Sequence, residues 1–229
     1  MDKFEEGDGS TLSGTLRALN FVSAGVALLT ILEAAGWPSW LLVVCSIISL
    51  AIILERSWAL RSSVVAPKEL LGRVVQEYET RGVNRDILAR LAQSSLLGRI
   101  LAAGLNSANT SREVMKESIE EAGRAVLIEL ERFLTTLGTI ASIAPLLGLF
   151  GTVIGMIVIF RTSGPSGGSP AELAHGISIA LYNTAFGLVV AVPSMVFYRH
   201  FRARVDLLVI EMEQQAIKLV EIVHGDRNR

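Results

Sequence analysis

The chain is poor in the residues that most catalytic and metal chemistry needs. Its single cysteine, Cys45, lies in an apolar run, so no internal disulfide can form and cysteine usage carries no information about redox compartment. There is no HExxH, no CxxC, no phosphate-binding glycine loop and no nucleophile–base pair, so enzyme activity, a bound metal and a cofactor are not expected. Charged residues make up only 19% and are bunched. The net charge is −1, which leaves no overall field to gather nucleic acid. Met1 to Gly9 is acidic and lacks the basic start of a cleavable signal peptide, so none is expected. What remains is apolar. Hydrophobic residues reach 51% without counting glycine, and mean hydropathy is +0.49. An ordinary soluble domain holds about 45–50% with glycine included.

Three runs are long enough to span a bilayer, which takes roughly 20 residues. The first covers Trp37 to Trp58 around WLLVVCSIISLAIIL, with Trp37, Trp40 and Trp58 at its ends, where aromatic belts form. The second runs from Leu134 to Phe160 and the third from Ile177 to Phe201. A shorter run, Ala18 to Leu32, contains Asn20 and Ser23 and reads as an amphipathic interfacial helix. The alternative is a short extra span, with WPSW (Trp37 to Trp40) as the hairpin. Basic residues set the orientation. Arg56, Arg61, Lys68 and Arg73 follow the first span, and Arg199, Arg202 and Arg204 follow the third. The link Arg161 to Glu172 holds one Arg, and the N-terminal segment is mainly acidic. The N-terminus and the link are therefore expected outside, and the 61–133 region and the C-terminus inside.

The inside region reads as helix. Met115, Ile119, Ala122, Val126, Leu130, Phe133 and Leu137 recur at three and four residues, and the pattern enters the second span with no breaker. One helix from Ser111 to Phe160 is expected, and the third span is expected to continue through Leu207 to Val223. Val205, Leu208, Met212, Leu219 and Ile222 form its packing stripe. Leu70 to Leu105 reads as shorter helices broken near Gly82 and Gly98. The expected fold is an all-α integral membrane protein with three transmembrane helices, two of them extending into a tall cytoplasmic bundle. Its segments are 1–36 (periplasmic, with the interfacial helix), 37–60 (span), 61–133 (cytoplasmic helices), 134–160 (span), 161–175 (periplasmic loop), 176–201 (span) and 202–229 (cytoplasmic helix).

In GLFGTVIG, Gly148, Gly151 and Gly155 share one flank of the second span. Glycine costs about 1 kcal/mol against alanine in a water-exposed helix. In lipid that cost falls, and small residues let helices pack closely. The third span carries a matching stripe: Gly176, Ala180, Thr184, Gly187 and Ala191. Thr152 and Thr184 sit mid-span on these faces, with Tyr182 and Asn183 beside the latter. Such a threonine either bonds a carbonyl of its own helix or lines a wet pathway. Pro145 and Pro193 interrupt apolar runs, as passive kinks or as sites of bending. His175 is read as solvated or capping rather than as a proton relay, and Glu33 as interfacial. Glu55 and Arg56 close the first span and pair or snorkel.

TIASIAPLLGLFGTVIGM (Thr139 to Met156) resembles the second transmembrane segment of the MotA/TolQ/ExbB proton-channel family. GISIALYNTAFGLVVAVP (Gly176 to Pro193) resembles its third, and LLVVCSIISLAIILERSWAL (Leu41 to Leu60) its first. The resemblance implies a homopentameric ring in the bacterial inner membrane around a dimer of an ExbD-, TolR- or MotB-like partner. That partner has one membrane helix bearing an acid. Proton flow between ring and partner would drive rotation, with the partner doing work in the periplasm or on the cell wall. Thr152 and Thr184 match the family's pore-facing threonines, and Pro145 and Pro193 match prolines shared with the flagellar stator branch. Two positions depart from the pattern. Ile179 stands where TolQ and ExbB typically have Glu, and Asn183 where a small residue or Thr is usual. No Asp, Glu, Lys or Arg lies in the central part of any span, so the titratable group is expected from the partner. Thr152, Thr184 and Asn183 are the expected pathway residues. Gly148, Gly151, Gly155 and Gly187 are the expected packing residues. The other readings are a non-conducting scaffold for partner assembly and a passive pore. Expected partners are further copies of the chain, the single-span protein and membrane lipid, with no nucleic acid.

Overall fold

A computed structural model describes residues 36–162 and 169–225. The expected interfacial helix over Ala18 to Leu32, with Glu33, lies outside the described residues. Among the described residues eight helices follow in order: α1 Trp37–Ala59, α2 Ser62–Val65, α3 Leu70–Arg81, α4 Arg85–Ser94, α5 Leu96–Asn106, α6 Arg112–Leu130, α7 Leu134–Thr162 and α8 Pro170–Val223. Among the described residues three stretches are long and apolar enough to cross a membrane: α1, the apolar part of the α6–α7 stretch, and α8. The protein is all-α and membrane-spanning, as its sequence leads one to expect. α8 is a single 54-residue helix that runs through Pro193, and α7 runs through Pro145.

Contacts divide the chain into two compact units. One comprises Met1–Ile48 with Ile140–Val192, the other Ser49–Thr139 with Pro193–Arg229. The first has a small core of Leu42, Ile140, Ala144, Val190 and Ala191. Most of its large apolar side chains point outward, among them Val44, Ile47, Leu146, Leu149, Leu181 and Val189. An apolar surface of that extent is suited to lipid or to other chains, not to water.

The second unit has the larger core, centred on Leu97, Leu101, Met115, Val126, Leu208 and Leu219. Its short helices start on side-chain caps. Asn84, Ser95 and Ser111 accept from the backbone N–H of Asp86, Gly98 and Val114. Each such cap is worth about 1 kcal/mol. α3 ends at Gly82, as expected. The next break falls at Ser95 rather than at Gly98, which lies inside α5. Gly98 is there because the corner is tight: a Cβ would run into the Leu91 carbonyl and come within 2.6 Å of Ser94 Oγ.

The single helix expected from Ser111 to Phe160 is broken. Residues 131–133 form a turn, and Phe133 has φ +64°. That left-handed conformation costs a residue with a side chain roughly 1–2 kcal/mol. At the break Leu134 takes the buried place expected of Phe133: Leu134 is buried at 1% while Phe133 is 41% exposed, and Leu137 remains buried as expected. Periodicity could not show this, because no glycine or proline marks the corner. What holds it comes from elsewhere in the chain. The Leu134 N–H bonds Glu131 O at 3.0 Å, leaving the Leu130 carbonyl without its helical donor. Arg56 Nη1 donates to Leu130 O at 3.2 Å and to Glu129 O at 3.4 Å. A cation at a helix C-terminus is favourable for the helix dipole as well.

Candidate functional site

The site is built where α7 and α8 pack within the first unit. Glycines of both spans set the distance. A Cβ on Gly148 would lie 2.8 Å from Asn183 O and 3.1 Å from Thr184 Cα, and one on Gly187 would lie 2.7 Å from Ala144 O. The two backbones therefore touch, which only residues without side chains permit. Gly155 faces Ala180 more loosely, with a Cβ at 3.3 Å from the Ala180 Cβ. The two small-residue stripes read in the sequence are thus one interface.

Three polar side chains lie on or beside it. Thr184 Oγ1 donates across the interface to Gly148 O at 3.4 Å, a contact open to it because Gly148 presents no side chain. Thr152 Oγ1 donates within its own helix to Leu149 O at 2.7 Å. Thr152 thus bonds a carbonyl of its own helix, one of the two expected uses, whereas the bond of Thr184 to a carbonyl of the neighbouring helix belongs to neither. Asn183 is 1% exposed and packs on Gly151, whose Cβ would lie 2.7 Å from Asn183 Cγ. The amide occupies the space that Gly151 leaves. Ile179 is half-buried on α8, and no aspartate, glutamate, lysine or arginine occurs from Ile177 to Tyr198. His175 is exposed on α8. No group of three or more potential metal-ligating side chains occurs among the described residues.

Two features of the second unit go beyond what the sequence shows. Ser49 and Ser194 are both buried, with hydroxyls 2.6 Å apart, directly after Pro193 on α8. Two serines inside apolar runs were the available signal, but nothing in the sequence pairs them. Arg56 is 5% exposed and carries the backbone bonds described above, with Glu55 as its carboxylate partner. Pairing with Glu55 was foreseen; burial against the carbonyls of another helix was not.

The comparisons with known proteins agree with the motifs. The family model described as the MotA/TolQ/ExbB proton channel family matches residues 92–214, more than half of the chain. The chain belongs to that family. A relative in Methanothermobacter thermautotrophicus, named for homology to biopolymer transport protein ExbB, is 31% identical over 182 residues. That match covers 77% of this chain but only 64% of the relative. Biopolymer transport protein exbB1 of Vibrio cholerae is 31% identical over 71% of this chain and 74% of its own length. Among solved structures, a chain of C. jejuni MotAB aligns over 95% of this family member and 90% of itself. Its TM-score is 0.57 and its sequence identity 18%, a likeness of fold.

Proposed function

We propose that this chain is the ring-forming subunit of an ion-driven membrane machine, which passes protons along a path bordered by the α7–α8 face. The carrying observation is the Thr184 hydroxyl on the packed, glycine-lined face of a span that contains no ionisable residue around it. Hydroxyls both donate and accept, so Thr184 and Thr152 can pass hydrogen bonds along water or to a carboxyl. Neither can hold a charge. Bare charge is costly at membrane depth, so the titratable group comes from outside the chain. The acid belongs to a single-span ExbD-, TolR- or MotB-like partner, present as a dimer within a pentameric ring of this chain. Membership of a proton channel family and a fold shared with a chain of MotAB support that reading. Asn183, packed on Gly151, belongs to the same face and borders the path beside the two threonines. The complex sits in the bacterial inner membrane. Its N-terminus and the 161–175 link face the periplasm, and the 61–133 and 202–229 regions face the cytoplasm. The basic residues after the first and third spans support this orientation.

The test is proton flux into liposomes that contain this chain with its partner. Thr152→Val combined with Thr184→Val keeps side-chain shape and removes both hydroxyls. The double variant should assemble normally and lose most partner-dependent flux. Unchanged flux would remove the threonines from the pathway. The intrahelical bond of Thr152 favours the second reading, a non-conducting scaffold. Under that reading neither parent nor variant conducts.

A further inference from the structure

We propose that the α6–α7 corner is a two-state joint held bent by Arg56, and that withdrawing this guanidinium lets α6 and α7 merge into one straight helix. The inference does not depend on which ion, if any, the protein conducts.

Locally, the sequence favours the straight form. Apolar residues keep helical spacing through Val126, Leu130 and Leu137, and no glycine or proline intervenes. The bent form places Phe133 in a conformation that disfavours a phenyl-bearing residue. It also leaves the Glu129 and Leu130 carbonyls without their ordinary donors four residues on. In a straight helix these would be the N–H groups of Phe133 and Leu134. Arg56 Nη1 stands in for those donors. Its remaining nitrogens are occupied as well, with Nε and Nη2 on the two carboxylate oxygens of Glu55. Its guanidinium carbon lies 5.6 Å from the centre of the Phe133 ring, and that of Arg132 lies 4.7 Å from it.

The same corner is held from two further helices. Arg99 on α5 pairs with Glu129 at 2.7 Å, and Arg202 on α8 pairs with Glu131 at 2.7 Å. Both pairs are substantially exposed and weak. Arg56 is the buried member, and its hydrogens reach the Leu130 carbonyl, which has lost its helical donor, and the Glu129 carbonyl, which also accepts from the Arg132 N–H at 3.3 Å. The two forms exchange one set of satisfied carbonyls for another. The straight form regains two helical bonds and relaxes Phe133, while the bent form keeps the guanidinium contacts and the turn bonds from Arg132 N–H to Glu129 O and from Leu134 N–H to Glu131 O. An element with two such arrangements is the kind that switches discretely rather than bending gradually. Arg56 is thus a positioning residue for the base of the second span.

Spin labels at Glu121 and Thr136 bracket the corner. The measurement uses full-length protein in nanodiscs, with Cys45 replaced by Ala and labelled chains diluted into unlabelled ones. A straight helix separates these positions by about 22 Å along its axis. The parent should give a distance several ångströms shorter. Arg56→Gln should shift the main population to about 22 Å, and Arg56→Lys should shift it in part. Adding Phe133→Gly to Arg56→Gln should restore the short distance, because glycine adopts the left-handed conformation freely. Loss of packing alone would not be repaired by that change. Phe133→Ala with Arg56 intact should populate the long distance too. It provides the test if Arg56→Gln does not fold, since Phe133 is largely exposed. A parent already at 22 Å, an unchanged distance in Arg56→Gln or, should that variant not fold, in Phe133→Ala, or failure of Phe133→Gly to restore the bend would each overturn the proposal.

Discussion

Alanine at Gly148 or Gly187 should loosen the α7–α8 interface, whereas alanine at Gly155 should not. The new Cβ at Gly148 would lie 2.8 Å from a backbone oxygen and that at Gly187 2.7 Å from another, where ordinary contact begins near 3.4 Å. Backbone cannot swing aside as a side-chain tip can, so the helices must part by about 0.6 Å. A gap of 0.5–1 Å forfeits roughly a quarter to a half of each dispersion contact across it. Overpacking of this kind costs about 1–3 kcal/mol. The double variant should cost less than the sum, because one separation relieves both clashes. At Gly155 the Cβ would meet only the Ala180 Cβ at 3.3 Å. There the better helix propensity of alanine, up to about 1 kcal/mol, offsets a slight crowding. SDS titration of reconstituted protein, followed by far-UV circular dichroism, gives the order of stabilities. If Gly155→Ala ranks with or below Gly148→Ala, backbone approach is not what the glycines are for.

The other tests use the same interface and its neighbours. Gly151→Ala should destabilise by about 1–3 kcal/mol in the parent and much less with Asn183→Ala, because the clash is with the amide side chain; equal penalties in both backgrounds would contradict this. Ser49→Ala and Ser194→Ala should show a coupling of about 0.5–1.5 kcal/mol in a double-mutant cycle, and additivity would mean the hydroxyls do not bond. A cysteine at Ser10, in a Cys45→Ala background, should react with an impermeant reagent in whole cells; labelling only after lysis would reverse the proposed orientation. Native mass spectrometry in detergent should show a ring oligomer, with five copies as the expected count, and a monomer alone would count against the ring.

The spans were legible because length and apolarity decide them. Trp37–Ala59 and the long third helix fall where the hydrophobic runs place them. The small-residue stripes were legible as faces; that the two meet each other was not, because spacing within a span does not name its partner. The helix break at residues 131–133 was not legible. The Leu130 carbonyl freed there is met by Arg56, 74 positions earlier in the chain, and local periodicity carries no trace of a partner that distant. Gly98 was read as a breaker when its lack of a side chain serves a close approach, and the chain turns at Ser95, which caps the next helix. The polarity of Asn183 was legible, but its packing partner was not. Its burial follows from Gly151 on another helix, a relation that spacing within one span cannot reveal.

The three tryptophans of the chain, Trp37, Trp40 and Trp58, all lie on α1, and all are more than half exposed. The intrinsic fluorescence of the protein therefore reports on one helix. Its two ends are spectroscopically distinct. Trp37 meets the Phe150 ring edge-on at 5.9 Å, while the Arg61 guanidinium lies 4.6 Å over the Trp58 ring. Brominated lipids of graded chain position would read the depth of both ends of the first span in unlabelled protein. Movement of that helix during turnover would then register as a change in quenching, with no probe added.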